Sequence, residues 1–303
     1  MLDHTTGTSA TQVKIPGTDD TARDAPARRR AEMDIRTLRP YLAITFGLTW
    51  GIGVLLVLFG DQIEAVFGEL GPTNPVYLLA VYSPAVAAVI LVLRHHGADG
   101  LRRYLRRLTL WRMPRAWWAF LLVGIPALVY ASAAIAGTVT DFPFSPWYGV
   151  LPAAALAMVF GPVEELGWRG LGLPLLQQRF TPLQAGLIIG FFWALWHTPA
   201  FLLSGTVQSS WSFVPFFLGV VAISVIITPA FNAARGSILL AGLFHFQLMN
   251  PVFPEADPWD KLVFIAVAGA VVIINRRQML TRAGAVTDVL LPTAGTPDST
   301  DAG

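Results

Sequence analysis

Cysteine is absent from all 303 residues. That excludes disulfides, thiolate metal ligands and a cysteine nucleophile. Charge is scarce as well. Asp, Glu, Lys and Arg make up 13% of the chain, against about 25% in an average soluble domain. With 54% hydrophobic residues and a mean hydropathy of +0.57, the chain reads as a polytopic membrane protein. The polar, Arg-containing residues 1–38 hold no short apolar run ahead of a small-residue cleavage site. The first apolar segment is therefore expected to act as an uncleaved anchor.

What is present is a series of apolar stretches close to the ~20 residues that a spanning helix needs. They run approximately Tyr41–Phe59, Pro75–Leu93, Ala116–Ala136, Tyr148–Trp168, Leu183–Leu203, Phe213–Ala230, Ser237–Phe253 and Leu262–Asn275. The expected fold is all-α, with eight transmembrane helices in a domain over residues 39–280. Residues 1–38 and 281–303 have no apolar periodicity and are expected to be disordered.

Arginines alternate with acids along the connections. Arg28, Arg29, Arg30, Arg36 and Arg39 precede the first span, and Arg94, Arg102, Arg103, Arg106, Arg107, Arg112 and Arg115 follow the second. Arg169 and Arg179, then Arg235, then Arg276, Arg277 and Arg282 mark every second connection after that. The intervening loops carry Asp61, Glu64, Glu69, Asp141, Glu255, Asp257 and Asp260, with Lys261. Under the positive-inside rule both termini are cytoplasmic, in what is expected to be the plasma membrane. The second connection has two readings. Leu101, Tyr104, Leu105 and Leu108 recur at helical spacing among its arginines, which suits a helix on the lipid surface. The other reading is a plain basic topology signal.

Within this apolar background, Glu164 and Glu165 are adjacent, and His197 and His245 are the other ionisable residues of the spans. A carboxylate at a helix centre costs about 2.5–3.5 kcal/mol on insertion scales, so such residues need a reason. Glu165 and Arg169 are spaced i, i+4 and can share a helical face. Glu164 is offset by about 100° and has no cation in its own helix, which suits a general base. An ion-pair network that only holds helices together is the structural alternative. Trp193 precedes His197 by one turn and can pack on the imidazole. If the helix of Glu164 turns near Phe180-Thr181-Pro182, Glu164 and His197 each lie about 16 residues from that turn and meet at one depth. His245 lies about 15 Å along its helix from the Arg235-Gly236 turn, at a somewhat shallower level. Asn250 precedes Pro251, which disfavours helix at Asn250, so its amide either turns inward or caps the helix.

These elements together resemble the CPBP family of intramembrane endopeptidases, related to type II CAAX prenyl proteases and to bacteriocin-processing or immunity proteins. The resemblance covers residues 151–250. Glu164-Glu165-Leu166-Gly167-Trp168-Arg169 resembles its Glu-Glu-x-x-x-Arg motif, and Trp193-Ala194-Leu195-Trp196-His197 its aromatic-x-x-x-His motif. Arg235 to His245 resembles the approach to its second histidine, but Met249 stands where the family has Asn, and Asn250 comes one residue later. The resemblance implies a site of Glu164, Glu165, Arg169, His197, His245 and Asn250. Glu164 and His197 would activate water, and His245 with Asn250 would stabilise the oxyanion. It leaves two chemistries open: glutamate-activated water without a cofactor, which is the expectation, or Zn²⁺ held by the Glu and His residues. The expected partners are a peptide or protein substrate in or at the membrane and the bilayer itself, with no nucleic acid. A catalytically silent scaffold or immunity-type protein and a proton-coupled transporter are the alternatives in function.

Overall fold

A computed structural model describes residues 33–292, except 72, 142 and 143. The expectations for residues 1–32 and 293–303 lie outside the described residues. Helices account for all the regular structure that is described. The chain is an all-α, polytopic membrane protein.

In chain order the helices are α1 Leu38–Phe67, α2 Pro75–Val81, α3 Ser83–Leu105, α4 Arg115–Ala119 and α5 Ile125–Ala136. Then come α6 Val150–Phe160, α7 Glu165–Gly167, α8 Leu173–Gln177 and α9 Pro182–Trp196. Last are α10 Phe213–Ala233, α11 Ile238–Leu248, α12 Trp259–Ile274 and α13 Arg276–Met279. The boundaries follow local chemistry. Asn74 caps α2 by accepting from the backbone N–H of Val76 and Tyr77, with Pro75 in the first turn. Thr181 and Gln184 cap α9 reciprocally, again with proline next, at Pro182. Gly68, at φ 82°, ends α1 in a conformation that a Cβ would oppose.

Each of the eight expected apolar stretches contains a helix, yet length does not support eight straight spans. Among the described residues, four helical runs are long and apolar enough to cross a membrane: Ile35–Phe67, Arg115–Ala136, Trp147–Gln177 and Phe213–Ala233. A fifth is α2 with α3, bent by 65°. α9, α11 and α12 are shorter, at 15, 11 and 16 residues. Proline accounts for one early stop: α9 ends at Trp196 because Thr198 precedes Pro199, and a 3-10 turn over Thr198–Phe201 follows.

The packing is close where side chains are small. α9 lies along α10 through Gly186 and Gly190, one turn apart. The Ser224 hydroxyl of α10 donates to the Gly186 carbonyl at 2.9 Å. Small residues with a hydroxyl contact are a common solution for helices in lipid, where apolar burial gives no net drive to associate. A second polar junction ties α1, α3 and α9: the Trp196 indole N–H donates to Thr49 at 2.6 Å, and Thr49 and Ser83 share a short hydrogen bond.

The arginine-bearing connections gather at one end. Arg103 donates to the Leu291 carbonyl at 2.7 Å, Arg282 to that of Gln178 at 2.8 Å, and Ser237 to that of Leu110 at 2.5 Å. The acidic connections also meet one another, through Thr138 donating to the Glu255 carbonyl at 2.6 Å. Two expectations change in detail. Residues 281–292, read as part of a disordered tail, are held by hydrogen bonds to Gln177, Asn232, Arg103 and Arg107. The residues read as one amphipathic face divide, because Tyr104 and Arg107 turn inward and are buried while Leu105 and Leu108 are exposed.

A candidate active site of buried glutamates and histidines

The segment that carries the two glutamates is not a regular helix. α6 ends at Phe160, a 3-10 turn covers Pro162–Glu164, α7 begins at Glu165, and a π-helical stretch covers Trp168–Gly172. Pro162 lacks an N–H to continue α6, and π insertions are often found at functional sites. The two carboxylates thereby enter different surroundings.

Glu165 is fully buried and doubly paired. Its Oε1 accepts from Arg169 at 3.0 Å and from Nδ1 of His245 at 2.8 Å. The i, i+4 pair expected from the sequence is present. Arg169 also lies over the Trp193 ring, with its Cζ 4.2 Å from the centroid, in cation–π contact. Glu164 is 5% exposed and forms no ion pair among the described residues. Its Oε2 accepts from the Trp193 indole N–H at 2.9 Å.

Trp193 is the hub of the arrangement. Its ring centroid lies 5.3 Å from that of His245 and 6.0 Å from that of His197. His197 is the C-cap of α9, and its Nδ1 is 2.8 Å from the Trp193 carbonyl. A carbonyl can only accept, so that nitrogen carries the proton and a neutral ring keeps its Nε2 lone pair free. Around His197 stand Trp196 and Phe216, at centroid distances of 4.7 and 5.1 Å. His245 directs its Nε2 toward Gly161, where a Cβ would lie only 2.9 Å away.

Glu164, Glu165, Arg169, His197 and His245 are thus linked, directly or through Trp193. Asn250 is not linked to them by any hydrogen bond. Its amide donates to Gln247 at 2.9 Å and its oxygen accepts from the backbone of Val252 at 3.2 Å, the pattern of a turn after α11. Met249, in the position where the family has Asn, places its sulfur where a Gly161 Cβ would stand. Trp193 as donor to Glu164 and Gly161 as the space beside His245 escaped sequence reading. The aromatic-x-x-x-His spacing marks Trp193, but not which partner its N–H finds.

Among the described residues, no group of three or more His, Asp or Glu side chains is arranged to hold a metal ion. His245 and His197 each turn Nδ1 to a protein acceptor, and Glu165 is taken up by Arg169 and His245.

Comparison with known proteins agrees with the motifs. Residues 146–250 match the family model for the type II CAAX prenyl endopeptidase Rce1-like domain. The chain is also 26% identical, over 231 residues, to CAAX prenyl protease 2 of Methanococcus maripaludis, an alignment covering 69% of this chain and 84% of that protein. The class defined here is a helical membrane protein with a buried Glu-Glu-x-x-x-Arg and two-histidine site. Over these residues the chain is similar to CAAX prenyl endopeptidases of the Rce1-like kind.

Proposed function

We propose that this protein is an intramembrane endopeptidase of the CAAX type, acting on a membrane-embedded or lipid-anchored substrate through water activated at Glu164. The observation that carries the reading is the unequal treatment of two adjacent carboxylates. Glu165 is bound to a guanidinium and an imidazole, whereas Glu164 has one indole N–H and no cation in ion-pair contact among the described residues. A base must take up a proton, and a carboxylate without a cationic partner does so more readily than one bound to a guanidinium and an imidazole.

In this mechanism the Glu164 carboxylate takes a proton from water as the water oxygen bonds to the scissile carbonyl carbon. The C=O π pair moves onto oxygen. When that pair returns, the C–N bond breaks, and the proton passes from Glu164 to the leaving amine. His197, fixed through Nδ1, orients the water with its free Nε2. His245 donates from Nδ1 to Glu165, and in its doubly protonated form its Nε2–H is the donor for the developing oxyanion. Asn250 has no part, since its amide is engaged by Gln247 and Val252. The arginine-bearing end is proposed to face the cytoplasm, with both termini on that side of the plasma membrane.

The test uses purified protein in phospholipid vesicles and a peptide ending in Cys-aliphatic-aliphatic-X with a prenylated Cys. Release of a C-terminal fragment by the parent, lost in Glu164→Gln, supports the reading. Unchanged function in Glu164→Gln would favour a scaffold. A solute flux that follows the proton gradient would favour a transporter.

A further inference from the structure

A second buried cation stands outside the site. Arg107, in the turn that follows α3, is 1% exposed. Its guanidinium makes no ion pair among the described residues and instead donates to three carbonyls. Nε reaches Gly236 at 2.8 Å, and one terminal nitrogen reaches Gly170 at 2.6 Å and Val289 at 3.0 Å. Its Cζ lies 5.4 Å from the Phe231 ring centroid and 6.0 Å from that of Tyr104. Tyr104 precedes Arg107 by one helical turn, and its hydroxyl donates to the Leu166 carbonyl.

The acceptors are not scattered. Leu166 follows Glu165 and Gly170 follows Arg169, so the two side chains hold the backbone directly after each member of the Glu165–Arg169 pair. Gly236 lies in the turn that leads into α11, which carries His245. One guanidinium therefore binds the backbone of both segments whose side chains meet at Glu165 and His245. Burying an unpaired charge is costly, and an apolar residue would fill the same volume more cheaply. Only the forked, five-donor geometry of arginine can serve carbonyls in several directions at once. The absence of a Cβ at Gly170 and Gly236 admits this approach: a Cβ at Gly236 would lie 3.0 Å from the guanidinium, and one at Gly170 would overlap the Tyr104 hydroxyl.

We propose that Arg107, assisted by Tyr104, is a positioning residue that sets the register of α11 against the Glu165–Arg169 segment, so that His245 meets Glu165. Only the turnover arm of the test rests on the endopeptidase reading.

The chain has no cysteine, so a disulfide reporter is clean. A Cβ at Gly242 of α11 would lie 3.4 Å from that of Pro162, close to the ~3.5–4.5 Å of a disulfide. Pro162→Cys with Gly242→Cys reports the register. Gly186→Cys with Thr228→Cys, 3.5 Å apart between α9 and α10, is the control. In oxidised membranes both pairs are expected to bridge. Arg107→Met or Arg107→Lys should slow the first pair about ten-fold and leave the control unchanged. Tyr104→Phe, which removes one hydroxyl, should slow the first pair two- to three-fold. It keeps the test open if the Arg107 variants do not accumulate. An unchanged first pair in the variants that accumulate overturns the proposal, and so does an equal loss in both pairs, which would mean a general loosening. On the prenylated peptide, kcat should fall at constant KM. If the parent cleaves nothing but bridging depends on Arg107, the endopeptidase reading fails and the positioning role stands.

Discussion

The indole N–H of Trp193 donates to Oε2 of Glu164 at 2.9 Å, joining α9 to the turn that carries the unpaired glutamate. The bond holds one carboxylate oxygen, and in the proposed mechanism the other takes the proton from water. Trp193→Phe keeps a ring for Arg169 and the histidines to pack on but removes the donor. A hydrogen bond to a charged group contributes about 1.5–3 kcal/mol, so kcat on the prenylated peptide should fall about ten-fold or more. Thermal stability should fall as well, since a buried carboxylate loses its hydrogen-bond donor. An unaltered kcat would remove Trp193 from the mechanism.

The two glutamates should separate in mutagenesis. Arg169→Ala leaves Glu165 buried beside His245 without its guanidinium. Breaking a buried pair typically costs about 3–5 kcal/mol, so the loss should appear first in melting temperature or yield. Glu164→Gln retains an oxygen that can accept the Trp193 N–H and should fold normally. It should lose about 10²–10⁴-fold in turnover. Equal melting losses in both variants, with turnover retained, would reduce the cluster to a structural network.

Gly161 should be intolerant of any side chain. The alanine Cβ would lie 2.9 Å from Nε2 of His245, a ring held by Glu165, and would overlap the Met249 sulfur. Methionine can swing aside, but the imidazole cannot do so without giving up Glu165. Gly161→Ala should therefore lower kcat by about ten-fold or more, and Met249→Ala alongside it should restore little. Full recovery in the double variant would show that the sulfur alone made the clash.

Chelators should leave turnover unchanged, because the proposed mechanism takes its base from Glu164 and, among the described residues, no group of three or more His, Asp or Glu is arranged to hold a metal ion. Glu164→Gln and His197→Ala act on one water, so their combined loss should fall far short of the product of the single losses. Loss of activity to a zinc chelator, recovered with added zinc, would overturn the glutamate-activated mechanism.

Reporter fusions should place Gly137 outside and the end of the chain inside. The prediction rests on the alternation of arginine-bearing and acidic connections, with the arginines on the cytoplasmic side. Opposite signals would reverse the orientation and bring the site's access from the other face.

The apolar runs, the alternating arginines and the i, i+4 spacing of Glu165 and Arg169 are local patterns, and from them the sequence alone determined an all-α membrane protein with a buried acid–base set. Helical periodicity fixes which neighbours share a face, and the scarcity of charge makes each buried glutamate and histidine conspicuous. Helix length was legible only in part, because Pro199 ends α9 and the turns around Pro162 break what composition presents as one continuous span. The choice of partners belonged to the tertiary structure. Nothing along the chain says that His245 will meet Glu165 across 80 residues, or that Trp193 will give its N–H to Glu164. Nor does a run of similar arginines reveal that Arg107 alone turns inward to three carbonyls, since that depends on the space left by Gly170 and Gly236 in segments distant along the chain. Asn250 marks the same boundary: one residue of displacement carries its amide out of the helix and into a turn, where Gln247 and Val252 satisfy it.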